Sequence, residues 1–306
     1  MKTLFCCLLA CSLSCAEAKE AVFAHSVKFV SHQWERFDAP SHSRPAYKLA
    51  MERKADLMKL DIHYTKDAVP VLSHDPTLKR TMDWNVKIKD KTLHELKTQG
   101  TFLPVGGYGN EKIMTLKEGL EIVRNCPEFW IDPKTFPKAP EFGWQKGSCL
   151  EVVLEEFRKA GISRKRIILA TFGDNPLMYA RKNLPDLRRI KHIQLKKMQG
   201  GGIVGNFFSG ELRAKENIVE LLVKEKERLG LWGVNLPRSA FSQELLDGKD
   251  IQRLRAAGLR CAVWFVNDPV DATFFSLYGA DAFVTDKINS VRPYCRTGDQ
   301  MAGGNR

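Results

Sequence analysis

Short apolar runs alternate with amphipathic stretches along most of this chain. Val27–Ser31, Leu57–Ile62, Val69–Ser73, Phe129–Ile131, Arg166–Thr171, Ile190–Leu195, Trp232–Asn235, Cys261–Val266 and Ala282–Thr285 read as strands. Arg44–Lys54, Leu150–Ala160, Pro176–Lys182, Leu212–Leu229, Gln243–Ala257 and Val270–Tyr278 read as helices. In the second of these, Leu150, Val153, Leu154 and Phe157 recur at helical spacing and make one apolar face. Ile218, Leu221, Leu222 and Leu229 do the same in the fourth. Strands that alternate with helices predict a parallel sheet. A series of about eight such units predicts an α/β fold closed as a TIM (β/α)8 barrel.

Two stretches break the rhythm. Met82 to Thr115 has few strand signals and reads as a small insertion after the early strands, near the barrel mouth. Gln199 to Gly210 is a glycine-rich loop carrying Phe207 and Phe208. It follows a strand, which places it to cover a site. It matches neither a phosphate loop nor a dinucleotide fingerprint, because no Lys-Ser and no third glycine fall at the required offsets.

The N-terminus changes the picture of where the barrel works. Lys2, the apolar run Leu4 to Leu13 and the small-residue segment Cys15-Ala16-Glu17-Ala18 predict a signal peptide over residues 1–18. That run is too short to span a bilayer. The expectation is an exported protein, secreted or periplasmic. Leu8-Leu9-Ala10-Cys11 also fits a lipoprotein box, the alternative being a lipid anchor through Cys11. Residues 27–295 then form one barrel domain.

Four of the eight cysteines fall in the export segment, and Cys126, Cys149, Cys261 and Cys295 remain. None of these four lies in a C-x-x-C pair, which argues against a zinc cluster. Either Cys126 pairs with Cys149 or all four are buried thiols. A net charge of +12 and a pI near 9.3 favour anionic partners such as phosphorylated small molecules or an anionic membrane surface. Nucleic acid is excluded as a partner, since the short basic runs at Arg164, Arg188 and Lys196 have no interleaved aromatic residues for stacking.

Ionisable side chains gather where the predicted strands end, which is where barrel enzymes hold their chemistry. His32 ends the first strand, Asp61 the second, and His74 follows the third. Asp132 and Lys134 end the strand after the insertion. Two histidines suit cleavage of a phosphodiester, one taking a proton from the attacking hydroxyl and one protonating the leaving oxygen. A lysine beside them can neutralise a phosphate oxygen. Two carboxylates can hold a divalent cation. His63, His94 and His192 read as solvated or hydrogen-bonded structural residues, Trp232 and Trp264 as either pocket lining or core, and Asp286 as structural.

Residues 55–75, ADLMKLDIHYTKDAVPVLSHD, resemble the pattern G-A-D-x-I-E-x-D-V-x-x-T-K-D-G-x-P-V-x-x-H-D of the glycerophosphodiester phosphodiesterase family. The resemblance continues through His32-Gln33-Trp34, Pro40-Ser41-His42-Ser43, Thr92 to Leu96, Ile113 to Leu120, Ile131 to Lys134, Val263 to Asn267 and Gly279 to Asp286. It implies a TIM barrel that cleaves glycerophosphodiesters to glycerol phosphate and an alcohol. It also implies that His32 and His74 are the acid–base pair and that Lys134 contacts phosphate. The implied metal, calcium or magnesium, is held in the family by three carboxylates, whose positions here are Lys59, Asp61 and Asp132. The arginine after the first histidine is Gln33, and the family's Glu-Asn pair is Ser41-His42.

Lys59 is the departure that matters, because an ammonium beside a divalent ion removes a ligand and adds repulsion. Three readings follow. Lys59 supplies the positive charge in place of the metal and binds the substrate phosphate. Alternatively, a metal binds weakly through Asp61, Asp132 and His42. In the third reading the chain is an inactive relative that binds a phosphodiester or other anionic ligand.

Overall fold

The computed structural model of the protein describes residues 26–32, 38–134, 149–207 and 216–295, with Cys149 and Glu216 described by backbone alone. The export segment, Gln33, Trp34 and Phe208 lie outside the described residues.

Eight parallel strands close on themselves. They are β1 (Lys28–Ser31), β2 (Leu57–Tyr64), β4 (Glu128–Pro133), β5 (Ile167–Thr171), β6 (Arg188–His192), β9 (Gly233–Pro237), β10 (Arg260–Trp264) and β11 (Ala282–Thr285). Hydrogen bonding runs β1-β11-β10-β9-β6-β5-β4-β2 and returns to β1 through Val30 and Ser31 beside Leu57 and Met58. β3 (Pro70–Leu72) stands outside this ring as an antiparallel partner of β2. Helices α1 (Arg44–Glu52), α2 (Leu93–Gln99), α3 (Leu116–Val123), α4 (Cys149–Lys159), α5 (Asp174–Asn183), α6 (Glu216–Leu229), α7 (Arg238–Ser242), α8 (Gly248–Ala256), α9 (Pro269–Leu277) and α10 (Ile288–Val291) complete the chain. The predicted TIM barrel is therefore the fold.

Strand alternation sorts the side chains. On β2, Met58, Leu60, Ile62 and Tyr64 pack outward against the helices, whereas Leu57 joins the barrel interior with Val30, Trp130, Ile168, Ile190, Ala262, Ala282 and Val284. Period two then carries Lys59, Asp61 and His63 to the inner face above Leu57. A third apolar cluster of Val71, Leu78, Met82, Ile88, Leu96, Phe102 and Ile113 shows that the predicted insertion has a small core of its own.

Three boundaries differ from expectation for physical reasons. The predicted strand Ile190–Leu195 begins two residues earlier, at Arg188. The Arg188 guanidinium pairs with Glu128 at 2.6 Å, and Arg189 donates to the carbonyls of Gly230, Leu184, Pro185 and Leu187. These arginines are satisfied within the barrel wall and are not a solvated charge run. Leu195–Lys197 instead pairs with Ile203–Gly205 as a hairpin, β7 and β8, within the glycine-rich stretch. Finally, the predicted helix Gln243–Ala257 starts at Gly248, where Asp247 and Asp250 form a reciprocal capping box. Cys126 is a buried free thiol, so the Cys126–Cys149 disulfide does not form. Its Sγ lies 3.4 Å from the Glu128 carbonyl, and burial pushes its pKa up to about 12. Among the described residues no helix is long and apolar enough to cross a membrane.

Candidate active site

The inner-facing residues at the C-terminal strand ends surround a cavity of about 420 Å³. His32, Lys59, His74, Asp132, Lys134, Phe172, His192, Asn235, Trp264, Phe265, Asn267 and Asp286 line it. All the sequence-predicted site residues meet here, with Asp61 immediately behind the wall. Of the two tryptophans read as pocket lining or core, Trp264 lines this cavity, whereas Trp232 packs on the interior core and lines a separate cavity at the opposite end of the barrel, with Trp130 and Arg260.

Parallel register explains the charge cluster. Asp61 on β2 stands beside Asp132 on β4, and Lys59 beside Trp130. Two inward carboxylates side by side in a buried wall require cations. Lys59 supplies one, bonding Asp61 and standing 3.5 Å from Asp132. Lys134, two residues beyond Asp132, supplies the other, at 2.6 Å from Asp132 and 3.1 Å from Asp61. The remaining Asp61 oxygen faces His42 Nε2 at 3.0 Å, and His42 Nδ1 meets the Tyr47 hydroxyl at 2.9 Å. Burial opposes ionisation of both carboxylates, but Lys134 and Lys59 outweigh it and hold them well below the usual carboxylate range. Burial likewise opposes the Lys134 charge, and the two aspartates overcome it and raise its pKa.

The histidines sit on the other side of the cavity. The rings of His32 and His74 lie 6.1 Å apart at 87°. His32 is 5% exposed, and its Nδ1 contacts Asp286 Oδ1 at 2.9 Å. Asn267 Nδ2 holds the other Asp286 oxygen at 3.1 Å, and the Phe265 ring lies 4.0 Å from that of His32. Burial, outweighing the attraction of Asp286, lowers the His32 pKa to about 4. Asp286 is thus a neighbour that fixes the His32 ring and is more than the structural strand-end residue the sequence suggests. His74 is more open, with a side chain 32% exposed. Its Nδ1 meets Asp75 at 2.7 Å, and Arg80 holds the far oxygen of Asp75 at 2.6 Å. His63 faces the His74 carbonyl at 3.3 Å and is structural, as the sequence indicates.

His192 and Asn235 belong to the cavity although sequence reasoning treated His192 as structural and passed over Asn235. On β6, Ile190 faces the barrel interior, so alternation puts His192 inward as well. That parity was already present in the predicted strand Ile190–Leu195, which contains both residues.

These donors do not fit a divalent cation. The oxygens of Asp61 are taken by Lys59, Lys134 and His42, and Asp132 Oδ2 by Lys134 with Lys59 nearby. Among the described residues, no three His, Cys, Asp or Glu side chains are grouped as a metal would need.

The profile of the glycerophosphoryl diester phosphodiesterase family matches residues 35–290. Glycerophosphodiester phosphodiesterase 1 of Bos taurus is 32% identical across 86% of this chain and 78% of its own length. A glycerophosphodiester phosphodiesterase of Bacillus subtilis is 26% identical across 55% of this chain. The match spans 60% of the Bacillus subtilis protein and 63% of a similar enzyme from Caldanaerobacter subterraneus. Among solved structures, a phosphodiesterase of Oleispira antarctica in complex with its product sn-glycerol-3-phosphate has a TM-score of 0.69. It shares 19% identity, covering 89% of this chain and 98% of that one, and the likeness concerns the fold. A glycerophosphodiester phosphodiesterase of Thermotoga maritima, 25% identical, gives 0.63 over 86% of this chain and 96% of its own.

Proposed function

This chain belongs to the glycerophosphoryl diester phosphodiesterase family, and from that premise we propose that it hydrolyses glycerophosphodiesters to glycerol phosphate and an alcohol. The observation that carries the proposal is the facing pair His32 and His74, with rings 6.1 Å apart, in one cavity with the ammonium groups of Lys59 and Lys134. His32 is neutral at physiological pH. Its Nδ1 proton is held by Asp286, which leaves the Nε2 lone pair to take a proton from the water whose oxygen forms the new bond to phosphorus. His74, with Asp75 to stabilise its imidazolium, gives a proton to the departing alkoxide as the phosphorus–oxygen bond breaks. Lys59 and Lys134 bind the non-bridging phosphate oxygens, where charge builds up.

The chemistry is metal-independent in this reading. A lysine where the family pattern carries a glutamate removes one negative charge and adds one positive, a net change of +2 and the same formal change a divalent cation would bring. The committed oxygens of Asp61 and Oδ2 of Asp132 support the same reading. Export through the apolar Leu4 to Leu13 run is part of the proposal, and the net charge of +12 favours anionic diesters and anionic lipid surfaces.

Phosphorus NMR of glycerophosphocholine with the purified chain tests the proposal. Turnover to glycerol phosphate is expected, with His32→Ala and His74→Ala each reducing it at least about a hundredfold. A folded protein that binds diesters but turns none over would replace the hydrolase with an inactive binding relative.

A further inference from the structure

The second cavity, at the end of the barrel away from the catalytic mouth, has a volume of about 360 Å³. Leu57, Trp130, Ile168, Ile190, Trp232 and Ala262 make its apolar wall. Trp130, whose ring stacks on His192 of the catalytic cavity, stands between the two spaces. The volume is more than twice the roughly 150 Å³ in which an engineered apolar cavity takes a benzene ring, so an apolar body of about ten carbons has room. The charged side chains that line it sit where strands begin: Lys28 opens β1, Glu128 opens β4, Arg260 opens β10 and Asp281 precedes β11.

This rim carries more positive charge than its carboxylates need. Glu128 pairs with Lys28 through one oxygen and with Arg188 through the other, at 2.6 Å. Asp281 Oδ1 accepts from Arg260 at 2.8 Å. Its Oδ2 accepts from the Cys261 amide at 2.8 Å, with the Arg255 guanidinium 3.5 Å away. Lys28, Arg188, Arg255 and Arg260 thus serve two carboxylates. Arg188 is held in place by the Lys165 carbonyl and the Trp232 ring, outside the lining of the cavity. Lys28 and Arg260, which do line it, have side chains about half exposed. Ion pairs that face solvent are weak. Both heads can therefore turn to a third anion while Arg188 and Arg255 stay with Glu128 and Asp281. An apolar chamber under a rim with surplus positive charge suits a ligand with an apolar body and an anionic head.

We propose that this chamber binds an anionic single-chain amphiphile, a medium-chain fatty acid, with its chain among the tryptophans and its carboxylate at Lys28 and Arg260. The site lies at the other end of the barrel from His32 and His74, and the inference does not depend on the phosphodiesterase reading.

Calorimetric titration of the full chain with decanoate, hexanoate and decanol tests it. Each buried methylene tightens binding about fourfold, so decanoate is expected to bind at least about tenfold more tightly than hexanoate. Charge-assisted bonds to the head should give decanoate about a further tenfold over decanol. Lys28→Gln combined with Arg260→Gln changes two half-exposed side chains and should bring decanoate to the affinity of decanol. Ala262→Leu, which fills the chamber from its wall, should weaken both ligands at least about tenfold. Decanoate affinity that survives in either folded variant would place the ligand elsewhere and overturn the site. Equal affinity for decanoate and decanol in the wild-type protein, or no binding of decanoate, would overturn it as well.

Discussion

Lys59 sits in a buried wall between two aspartates, and most of the site's electrostatics follows from it. Replacing it with methionine keeps its bulk and removes its charge. Lys134 and His42 cannot then compensate Asp61 and Asp132 alone. Loss of one partner of a buried pair destabilises by roughly 3 kcal/mol. Lys59→Met is therefore expected to unfold at lower denaturant and to lose at least about a hundredfold in kcat/KM. Unchanged values of both would show that Lys59 is a bystander. The buried histidines set the acid response. Burial lowers the pKa of His32 and of His63 to about 4, and lowers His42 and His192 as well. The unfolded chain, with histidines near 6.5, binds more protons than the folded one between those limits. Stability from this source is complete above pH 6.5 and is lost as pH falls through about 4. Urea unfolding at pH 7 and at pH 4.5 should differ by several kcal/mol, and His63→Asn should shrink the difference. A flat profile would contradict the neutral buried histidines. At this scale His32, Asp61, His74, Asp132 and Lys134 were legible because each stands at a predicted strand end, and Lys59 because it departs from a recognisable pattern. His192 shows only its parity with Ile190 and Asp286 only its place in the Gly279 to Asp286 motif, and the contacts of both, like those of Asn235, come from neighbours far away in sequence.

Strands and their register turn that list of residues into a site. Asp61 and Asp132 come side by side because β2 and β4 run parallel with those positions matched. His192 and Asn235 meet through the same kind of match between β6 and β9. Register at β9 and β10 depends on a close approach at Gly233. A Cβ there would lie 2.6 Å from the Arg260 carbonyl oxygen, a backbone atom that cannot swing aside. Gly233→Ala is expected to lose about 1–3 kcal/mol in thermal or denaturant unfolding, as overpacking does. Wild-type stability would mean that the two strands separate freely. Most strands and helices were legible from periodicity alone. Two boundaries were missed because charged or capping residues replaced the expected apolar signal. Arg188 and Arg189 hid the start of β6, and the Asp247 cap starts the predicted Gln243–Ala257 helix five residues late, at Gly248.

The whole molecule is a barrel whose inner face is apolar around Trp130 and ionic at the mouth. The apolar part holds the wall, and the ionic part is a balanced set of two lysines and two aspartates beside two histidines. The alternation of strands and helices made the barrel legible, and closure is visible only in the β1–β2 pairing. Whether the cationic charge at the mouth belongs to the chain or to a metal decides how the site works. The measurement that bears on this most directly is the rate of choline release from glycerophosphocholine after exhaustive chelation, compared with the rate after calcium or magnesium is added back. Metal-independent catalysis predicts a chelated rate within about twofold of the others, because Lys59 and Lys134 remain in place. A rate that vanishes with the chelator and returns with either cation would contradict the account.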